Sequence, residues 1–201
     1  MNIAVFASGR GTNFAAIIRA IKKGKIKANL SLLVCDNPGA AAIARAKRAG
    51  IKVALIKRED SPTKREFETK IIQHLEENNI DLIVLAGYMR IVGAELLSKY
   101  KGRILNIHPA LLPSFKGTTS IKDAFDYGVK VTGVTVHFVD EEMDHGPIIL
   151  QAAVKIEEDD TLASLEKKIH KIEHKIYPEA IRLFVEGRLN LEDRKVKISN
   201  Q

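Results

Sequence analysis

The chain has 201 residues, of which 45% are hydrophobic and 28% are charged, and this content is sufficient for one domain with a sizeable buried core. Its net charge of +7 comes from Lys and Arg spread along the sequence, without a long basic run or a zinc-finger pattern, which disfavours a nucleic-acid partner. The apolar N-terminus is too short for a membrane span and lacks the basic flank of a signal peptide, so we expect a cytoplasmic protein without membrane contact.

Short apolar runs alternate with helical patterns through the first half of the chain. Each run is too short for a helix, and most are followed by residues typical of turns or helix starts, which predicts buried strands. Cys35, the single cysteine, lies in the second run and is interpreted as a packed core thiol. One of the helices between the strands is predicted to begin with Ser61 as its N-cap and Pro62 in its first turn. The predicted strands are residues 3–7, 30–35, 53–56, 82–86 and 104–107.

The pattern changes in the second half, where longer β-rich runs cover residues 131–138 and 147–154. An acidic link joins them, which fits a strand pair with a loop. A long helix follows, and Pro178 is expected to kink or end it. The polar tail after Gly187 fits an edge hairpin or a partly loose segment. The apolar stripe of the long helix is predicted to be Leu162, Leu165, Ile169, Ile172 and Ile176.

Together these elements predict an α/β fold. Alternation of strand and helix implies a mainly parallel sheet covered by helices on both faces, followed by a β-rich C-terminal half. In such a sheet, binding and catalytic residues are expected where the strands end at their carboxyl edge.

The glycine-containing segment "SGRGTN", residues 8–13, directly follows the first predicted strand. Its glycines allow a tight turn, and the amides of the helix that follows can receive a phosphate. It lacks the third glycine of a dinucleotide fingerprint and the Gly-Lys-Ser/Thr of a P-loop, so NAD and ATP are disfavoured. The alternative is a plain strand-to-helix turn in which Thr12 or Asn13 is the N-cap.

The stretch "NIHPALLP", residues 106–113, places polar side chains at the end of a buried strand. Asn106 and His108 are two residues apart, so their side chains can share one face, and Pro109 prevents the strand from continuing. An amide beside an imidazole suits a carbonyl whose oxygen becomes negative. No Ser or Cys is placed for activation by His108, which favours direct transfer between bound substrates. The alternative is a structural histidine beside a turn-capping asparagine.

The acidic segment "DEEMDHGP", residues 140–147, is a third candidate. One of its carboxylates, brought against His108, would favour the charged imidazole and fix its orientation. The alternative is a solvated turn.

The motifs "FASGRGTN", "VLAGYMRI", "ILNIHPALLPSFKG" and "VTGVTVHFVDEEMDHGPII" resemble, in order, the signatures of the phosphoribosylglycinamide formyltransferases, which are folate-dependent enzymes of purine biosynthesis. The resemblance implies a Rossmann-like formyltransferase fold and one domain, residues 1–201, with a phosphate-binding half (1–100) and a catalytic and folate-binding half (101–201). It implies formyl transfer from 10-formyltetrahydrofolate, as co-substrate, to the amine of phosphoribosylglycinamide, without a metal. We expect a monomer or homodimer that acts on small molecules.

The resemblance also assigns residues by matched position. Asn106, His108 and Asp144 correspond to the catalytic set, and Gly11, Thr12, Asn13 and Glu173 to the sites for the ribonucleotide. Lys64 stands where the family often has Arg, and neighbouring Arg65 is the alternative. The residues assigned to the folate are Lys64, Met89, Arg90, Ile91, Val92, Asn106 and Asp140.

Three other functions remain as alternatives. A formyltetrahydrofolate hydrolase would use water as acceptor, but that family reads "HHSFLP" where this chain has "HPALLP". A methionyl-tRNA formyltransferase would append a tRNA-binding domain, and a non-catalytic sugar-phosphate-binding module would need only the glycine loop. His170 and His174 have the spacing of metal ligands on a helix, but no third ligand is suitably spaced, so no metal site is predicted.

Overall fold

The computed structural model describes residues 1–199. The chain forms two compact units, residues 1–105 and the residues from 106 onward. Strand β5 (Ile104–His108) begins in the first unit and ends in the second. The other strands are β1 (Asn2–Phe6), β2 (Asn29–Cys35), β3 (Lys52–Leu55), β4 (Leu82–Leu85), β6 (Val131–Phe138), β7 (Ile148–Lys155), β8 (Leu189–Glu192) and β9 (Lys195–Ile198). The strand order of the main sheet is β3-β2-β1-β4-β5-β6-β7, and strands β8 and β9 form a separate hairpin.

The first unit is built on parallel strands. Strand β1 pairs in parallel with β2 on one side and β4 on the other, and β3 pairs in parallel with β2. The side chains from Ile3 to Ala7 are fully buried, as expected where helices cover both faces of a parallel sheet. The elements are β1 (Asn2–Phe6), α1 (Thr12–Lys22), β2 (Asn29–Cys35), α2 (Ala41–Ala49), β3 (Lys52–Leu55), a 3₁₀ turn (Arg58–Asp60), α3 (Lys64–Glu77), β4 (Leu82–Leu85) and α4 (Ala94–Lys99).

The second unit is richer in antiparallel structure. Strands β6 and β7 pair in antiparallel fashion from Val131 opposite Lys155 to His137 opposite Ile148, with a register shift between Val136 and His137. Strands β8 and β9 also pair in antiparallel fashion. After the end of β5 the elements are α5 (Ser120–Tyr127), β6 (Val131–Phe138), β7 (Ile148–Lys155), α6 (Leu162–Val185), β8 (Leu189–Glu192) and β9 (Lys195–Ile198). The predicted fold class is therefore confirmed: a mainly parallel sheet flanked by helices with a β-rich second half, and the polar tail is a hairpin.

The predicted start of α3 is wrong by two residues. Thr63, not Ser61, is the N-cap, because its hydroxyl accepts the N–H of Glu66 at 3.1 Å. The hydroxyl of Thr63 also donates to the Glu66 carboxylate, so the pair forms a capping arrangement that Ser61, which is buried, does not provide.

Helix α6 continues through Pro178, so the expectation that this residue could end the helix is wrong. The predicted apolar stripe is only partly confirmed. Two of its members, Leu165 and Ile169, are buried, whereas Leu162, Ile172 and Ile176 are partly exposed. The helix is stabilised on both sides of Pro178 by the burial of Tyr177 before it and of the residues after it. This burial outweighs the cost of about 3 kcal/mol for proline inside a helix. The buried positions are Leu165, Ile169, Glu173, Tyr177, Ala180, Ile181 and Leu183.

Candidate active site

The end of β5 carries the first two polar side chains of the site. Asn106 is half-buried, and His108 is buried with 3% of its surface exposed. The backbone that follows is tied to β6, since the hydroxyl of Thr135 donates to the carbonyl of Ala110 at 2.7 Å and accepts the N–H of Leu112 at 3.1 Å. The strand end therefore holds Asn106 and His108 in fixed positions.

Asp144 lies in the loop between β6 and β7 and faces these two residues. One carboxylate oxygen accepts the N–H of Gly117 at 2.9 Å and lies 3.4 Å from Nδ1 of His108. The other lies 3.5 Å from Nδ2 of Asn106. The second unit thus brings together the three residues that the sequence assigned to catalysis.

The backbone of Asp144 has a φ of 50°, in the left-handed region that non-glycine residues rarely adopt. The loop closes tightly nearby, because a Cβ added at Gly146 would lie 1.9 Å from the carbonyl oxygen of Phe138. The direction of the Asp144 carboxylate is therefore set by a strained turn, which hydrophobic periodicity cannot reveal.

His137 is the site residue that the sequence reasoning missed. Its ring lies on β6, is 2% exposed, and its Nε2 is 3.2 Å from Nδ2 of Asn106 and 3.9 Å from the Asp144 carboxylate. The only signal in the sequence was a histidine inside an otherwise apolar strand, and a satisfied core histidine has the same appearance.

Burial lowers the pKa of His137, although the carbonyl of Phe138 and the Asp144 carboxylate oppose this shift. The ring is therefore neutral near pH 7. Its Nδ1 lies 2.7 Å from the carbonyl oxygen of Phe138, which only accepts hydrogen bonds, so the ring proton is on Nδ1. The unprotonated Nε2 of His137 then accepts a hydrogen bond from Nδ2 of Asn106. This contact fixes the orientation of the Asn106 amide, because its nitrogen and not its oxygen must face His137.

Both ring nitrogens of His108 face acceptors. Nε2 lies 2.8 Å from the carbonyl oxygen of Phe115, and Nδ1 faces the Asp144 carboxylate. A doubly protonated imidazolium can donate to both. Phe115 itself has a φ of 51°, so the segment that covers His108 is held in a strained conformation.

The segment of residues 8–13 connects β1 to α1 in the first unit. Gly11 has a φ of 66° and stands as N-cap of α1, with no capping side chain, so the proposed capping by Thr12 or Asn13 is wrong. A Cβ at Gly11 would lie 2.9 Å from Cβ of Ala42. Both its backbone conformation and the close approach of α2 therefore require glycine here.

The loop of Met89–Val92 is anchored within the first unit. The N–H of Met89 donates to the hydroxyl of Ser8 at 3.0 Å, and Arg90 pairs with Asp36 at 2.6 Å. After the loop, the buried Glu68 accepts the N–H of Gly93 at 2.6 Å.

The loop exposes two apolar side chains, with Met89 66% and Ile91 64% exposed, whereas Val92 is buried. Close to the same segment, the exposed Lys64 lies beside Gly93. Arg65, the alternative to Lys64, forms an ion pair with Glu95.

The remaining predicted residues lie in the second unit. Glu173 is buried on α6, and its carboxylate is 2.9 Å from Nδ1 of His170. Asp140 lies at the start of the acidic loop, where its carboxylate is 2.8 Å from Nδ1 of His145. Within residues 1–199, no group of three or more His, Cys, Asp or Glu side chains is arranged to hold a metal ion, and no helix of that part is long and apolar enough to span a membrane.

Comparison with known proteins identifies the family. The family model described as formyl transferase matches residues 1–181. This chain belongs to the formyl transferase family. The predicted family is therefore confirmed.

Individual relatives of this formyl transferase agree with the family match. The phosphoribosylglycinamide formyltransferase of Bacillus subtilis (strain 168) is 50% identical over 179 residues, which are 89% of this chain and 92% of the relative. The crystal structure of glycinamide ribonucleotide transformylase 1 from Symbiobacterium toebii superposes with a TM-score of 0.97 at 44% identity, covering 100% of this chain and 94% of that one.

A formyltetrahydrofolate deformylase from Pseudomonas syringae pv. tomato shares the fold. Its TM-score is 0.92 at 24% identity, and the match covers 99% of this chain but 66% of the deformylase. At this identity the likeness shows a common fold and gives no support to a hydrolase.

Proposed function

We propose that this formyl transferase moves the formyl group of 10-formyltetrahydrofolate to the amine of phosphoribosylglycinamide, which yields phosphoribosyl-formylglycinamide and tetrahydrofolate in purine biosynthesis. The observation that carries the proposal is the cluster of Asn106 and His108, at the end of β5, with Asp144 from the loop between β6 and β7, which has polar contacts of 2.9–3.5 Å around one carboxylate. The Bacillus subtilis relative, 50% identical, bears the name of this activity.

The cluster suits a reaction in which negative charge develops on a carbonyl oxygen. When bound, the folate supplies the formyl group, whose carbon bonds to the amine nitrogen while its oxygen gains negative charge. The bond between that carbon and nitrogen 10 of the folate then breaks as the carbonyl re-forms, and the proton lost by the amine goes to nitrogen 10, which gives tetrahydrofolate. Asn106 can donate to that oxygen by giving up its long hydrogen bond to Asp144 at 3.5 Å, while its other amide hydrogen stays on Nε2 of His137 at 3.2 Å. A donor placed in advance stabilises the charge without reorganisation.

His108 supplies the second donor. Its Nε2 is hydrogen-bonded to the carbonyl of Phe115 at 2.8 Å, so a substrate oxygen must replace this carbonyl. Relief of the strained φ of 51° at Phe115 would favour the exchange. The Asp144 carboxylate, which faces Nδ1 of His108 at 3.4 Å, would stabilise the positive charge of the imidazolium while its Nε2 donates to the substrate oxygen.

Gly11, Thr12 and Asn13 are proposed to hold the ribosyl phosphate. The start of α1 has no capping side chain and no acidic residue in its first turn, and such a helix start favours an anion through its N–H groups and dipole. Glu173, kept buried on α6, is proposed to contact the glycinamide ribonucleotide.

The folate is proposed to contact Met89 to Val92, Asn106 and Asp140. Met89 and Ile91 are 66% and 64% exposed on a loop that Ser8 and Asp36 anchor, which fits a flat aromatic ring. Lys64 is proposed as the partner of a glutamate carboxylate of the folate, because Arg65 already pairs with Glu95.

The proposal is tested by incubating the protein with 10-formyltetrahydrofolate, with and without phosphoribosylglycinamide. Folate release and product mass are measured together. Formylated ribonucleotide in equal amount to tetrahydrofolate is expected, with negligible release when the amine is omitted. Equal release without the amine would identify a hydrolase instead, and no release in either case would indicate a binding module.

A further inference from the structure

The C-terminal hairpin places Arg194 against the loop that carries Asp144. Arg194 lies in the turn between β8 and β9, and its guanidinium Nη2 donates to the main-chain carbonyl of His145. This carbonyl belongs to the residue that directly follows Asp144. The contact thus joins the tip of the hairpin to the backbone of the catalytic loop.

The carbonyl contact, rather than the ring contact, links the two segments. Nδ1 of His145 is 2.8 Å from the Asp140 carboxylate, so this nitrogen carries a proton and donates to Asp140. The guanidinium Nη1 of Arg194, 3.4 Å from the same nitrogen, meets a donor and forms no hydrogen bond there. The carbonyl of His145 is therefore the acceptor for Arg194.

The loop needs such an anchor because its backbone is strained and one side of it is open. Asp144 has a φ of 50°, from which an unrestrained loop would relax. On the hairpin side lies an open cavity of about 430 Å³, with Gly146, Ile148, Arg194, Lys195, Val196 and Lys197 around it. Because side chains do not fill this side of the loop, the hydrogen bond from Arg194 contributes more than packing does to fixing the peptide after Asp144.

We propose that Arg194 is a positioning residue for formyl transfer, which holds the peptide after Asp144 so that the carboxylate stays opposite His108 and Gly117. This inference rests on the proposed function of Asp144. In this proposal Arg194 acts through the main chain of His145 and does not bind a substrate. Its loss should therefore lower kcat while the KM values of both substrates stay nearly constant, since small displacements of catalytic groups reduce the rate of the chemical step.

The test uses three variants of the full chain. Arg194→Met keeps the aliphatic stem but removes every donor, Arg194→Lys keeps one flexible donor, and Lys195→Met removes a neighbouring positive charge from the same hairpin. We expect kcat to fall about tenfold in Arg194→Met, to recover in part in Arg194→Lys, and to stay within about twofold of the parent in Lys195→Met.

A second measurement does not depend on activity. The amide N–H of Gly117 donates to Asp144 at 2.9 Å, so its proton resonance in an NMR spectrum reports the position of that carboxylate. We expect an upfield shift in Arg194→Met and none in Lys195→Met, with circular dichroism unchanged in both. A Gly117 resonance that does not move, or a kcat within twofold of the parent, would overturn the proposal.

The two measurements separate this inference from the proposed function. If the parent protein formed no formylated ribonucleotide, the proposed function would fail. The Gly117 resonance would still show whether Arg194 positions Asp144.

Discussion

Replacing Asp144 by Asn removes one negative charge from the cluster with little change in shape. Asn is also among the residues best tolerated in the left-handed region, so the φ of 50° at this position should persist. The new side chain can still accept the N–H of Gly117 through its oxygen. We therefore expect the variant to fold, with a free energy of unfolding within about 1 kcal/mol of the parent.

The loss of activity can be estimated from the geometry. Asp144 lies 3.4 Å from Nδ1 of His108, and unit charges at that distance interact by about 5 kcal/mol at an effective dielectric constant of about 20. Part of this energy already stabilises the ground state and therefore does not accelerate the reaction. We expect about 3 to 4 kcal/mol to be lost from the transition state, which lowers kcat by about 10² to 10³.

The assay is steady-state formation of the formylated ribonucleotide, with both KM values measured. KM should change far less than kcat, because the charge matters most when the formyl oxygen becomes negative. Glu141→Gln is the matched control, since Glu141 is an exposed acid of the same loop, and its kcat should equal that of the parent. A kcat for Asp144→Asn within threefold of the parent would refute the electrostatic role of this carboxylate.

Three further outcomes are expected. The double variant His108→Ala with Asp144→Asn should be little slower than His108→Ala alone, because the two side chains act as a unit; additive losses in kcat would contradict this. Gly11→Ala should raise the KM for the ribonucleotide and leave that for the folate nearly constant, since a Cβ there meets Ala42 at 2.9 Å and the φ is 66°; the opposite pattern would reverse the two substrate assignments. Burial lowers the pKa of His137 in the folded protein. Below about pH 6.5 the unfolded chain therefore binds more protons at this residue than the folded chain does. The free energy of unfolding should consequently fall as the pH drops from about 6.5 towards the pKa of His137 in the folded protein. Urea unfolding from pH 7 to pH 5 measures this, and a His137→Gln variant with the same pH dependence as the parent would show that His137 is not its source.

The fold was largely predictable because its signals are local. Short apolar runs followed by turn residues identify strands, and all five predicted in the first half are present. Four of them are largely buried, but β3 is wrongly predicted as buried, since Lys52 and Leu55 are exposed. Errors arose where tertiary packing overrides local preference. Pro178 remains inside α6 because the helix is buried on both sides of it, and Gly11 replaces a polar cap because α2 approaches it closely.

The candidate site was only partly predictable, for a physical reason. Asn106 and His108 are close in sequence and share a strand end, so their proximity follows from strand geometry. The approach of Asp144 depends on a strained loop and on the amide of Gly117, which no local pattern encodes. His137 was missed because an isolated histidine in an apolar strand gives the same signal whether it is structural or functional.

The two histidines beside Asp144 show how surroundings decide the role of the same side chain. His137 has a main-chain carbonyl at Nδ1 and the Asn106 amide at Nε2, so a single ring proton satisfies both partners and the neutral form fits. His108 has the Phe115 carbonyl at one nitrogen and the Asp144 carboxylate at the other, so only the cation can donate to both. One ring can therefore orient the Asn106 amide, and exchanging the partners of the two rings would leave that amide without a fixed direction. The division of roles thus depends on hydrogen-bond partners supplied by Phe115, Phe138 and Asp144, rather than on the histidines themselves.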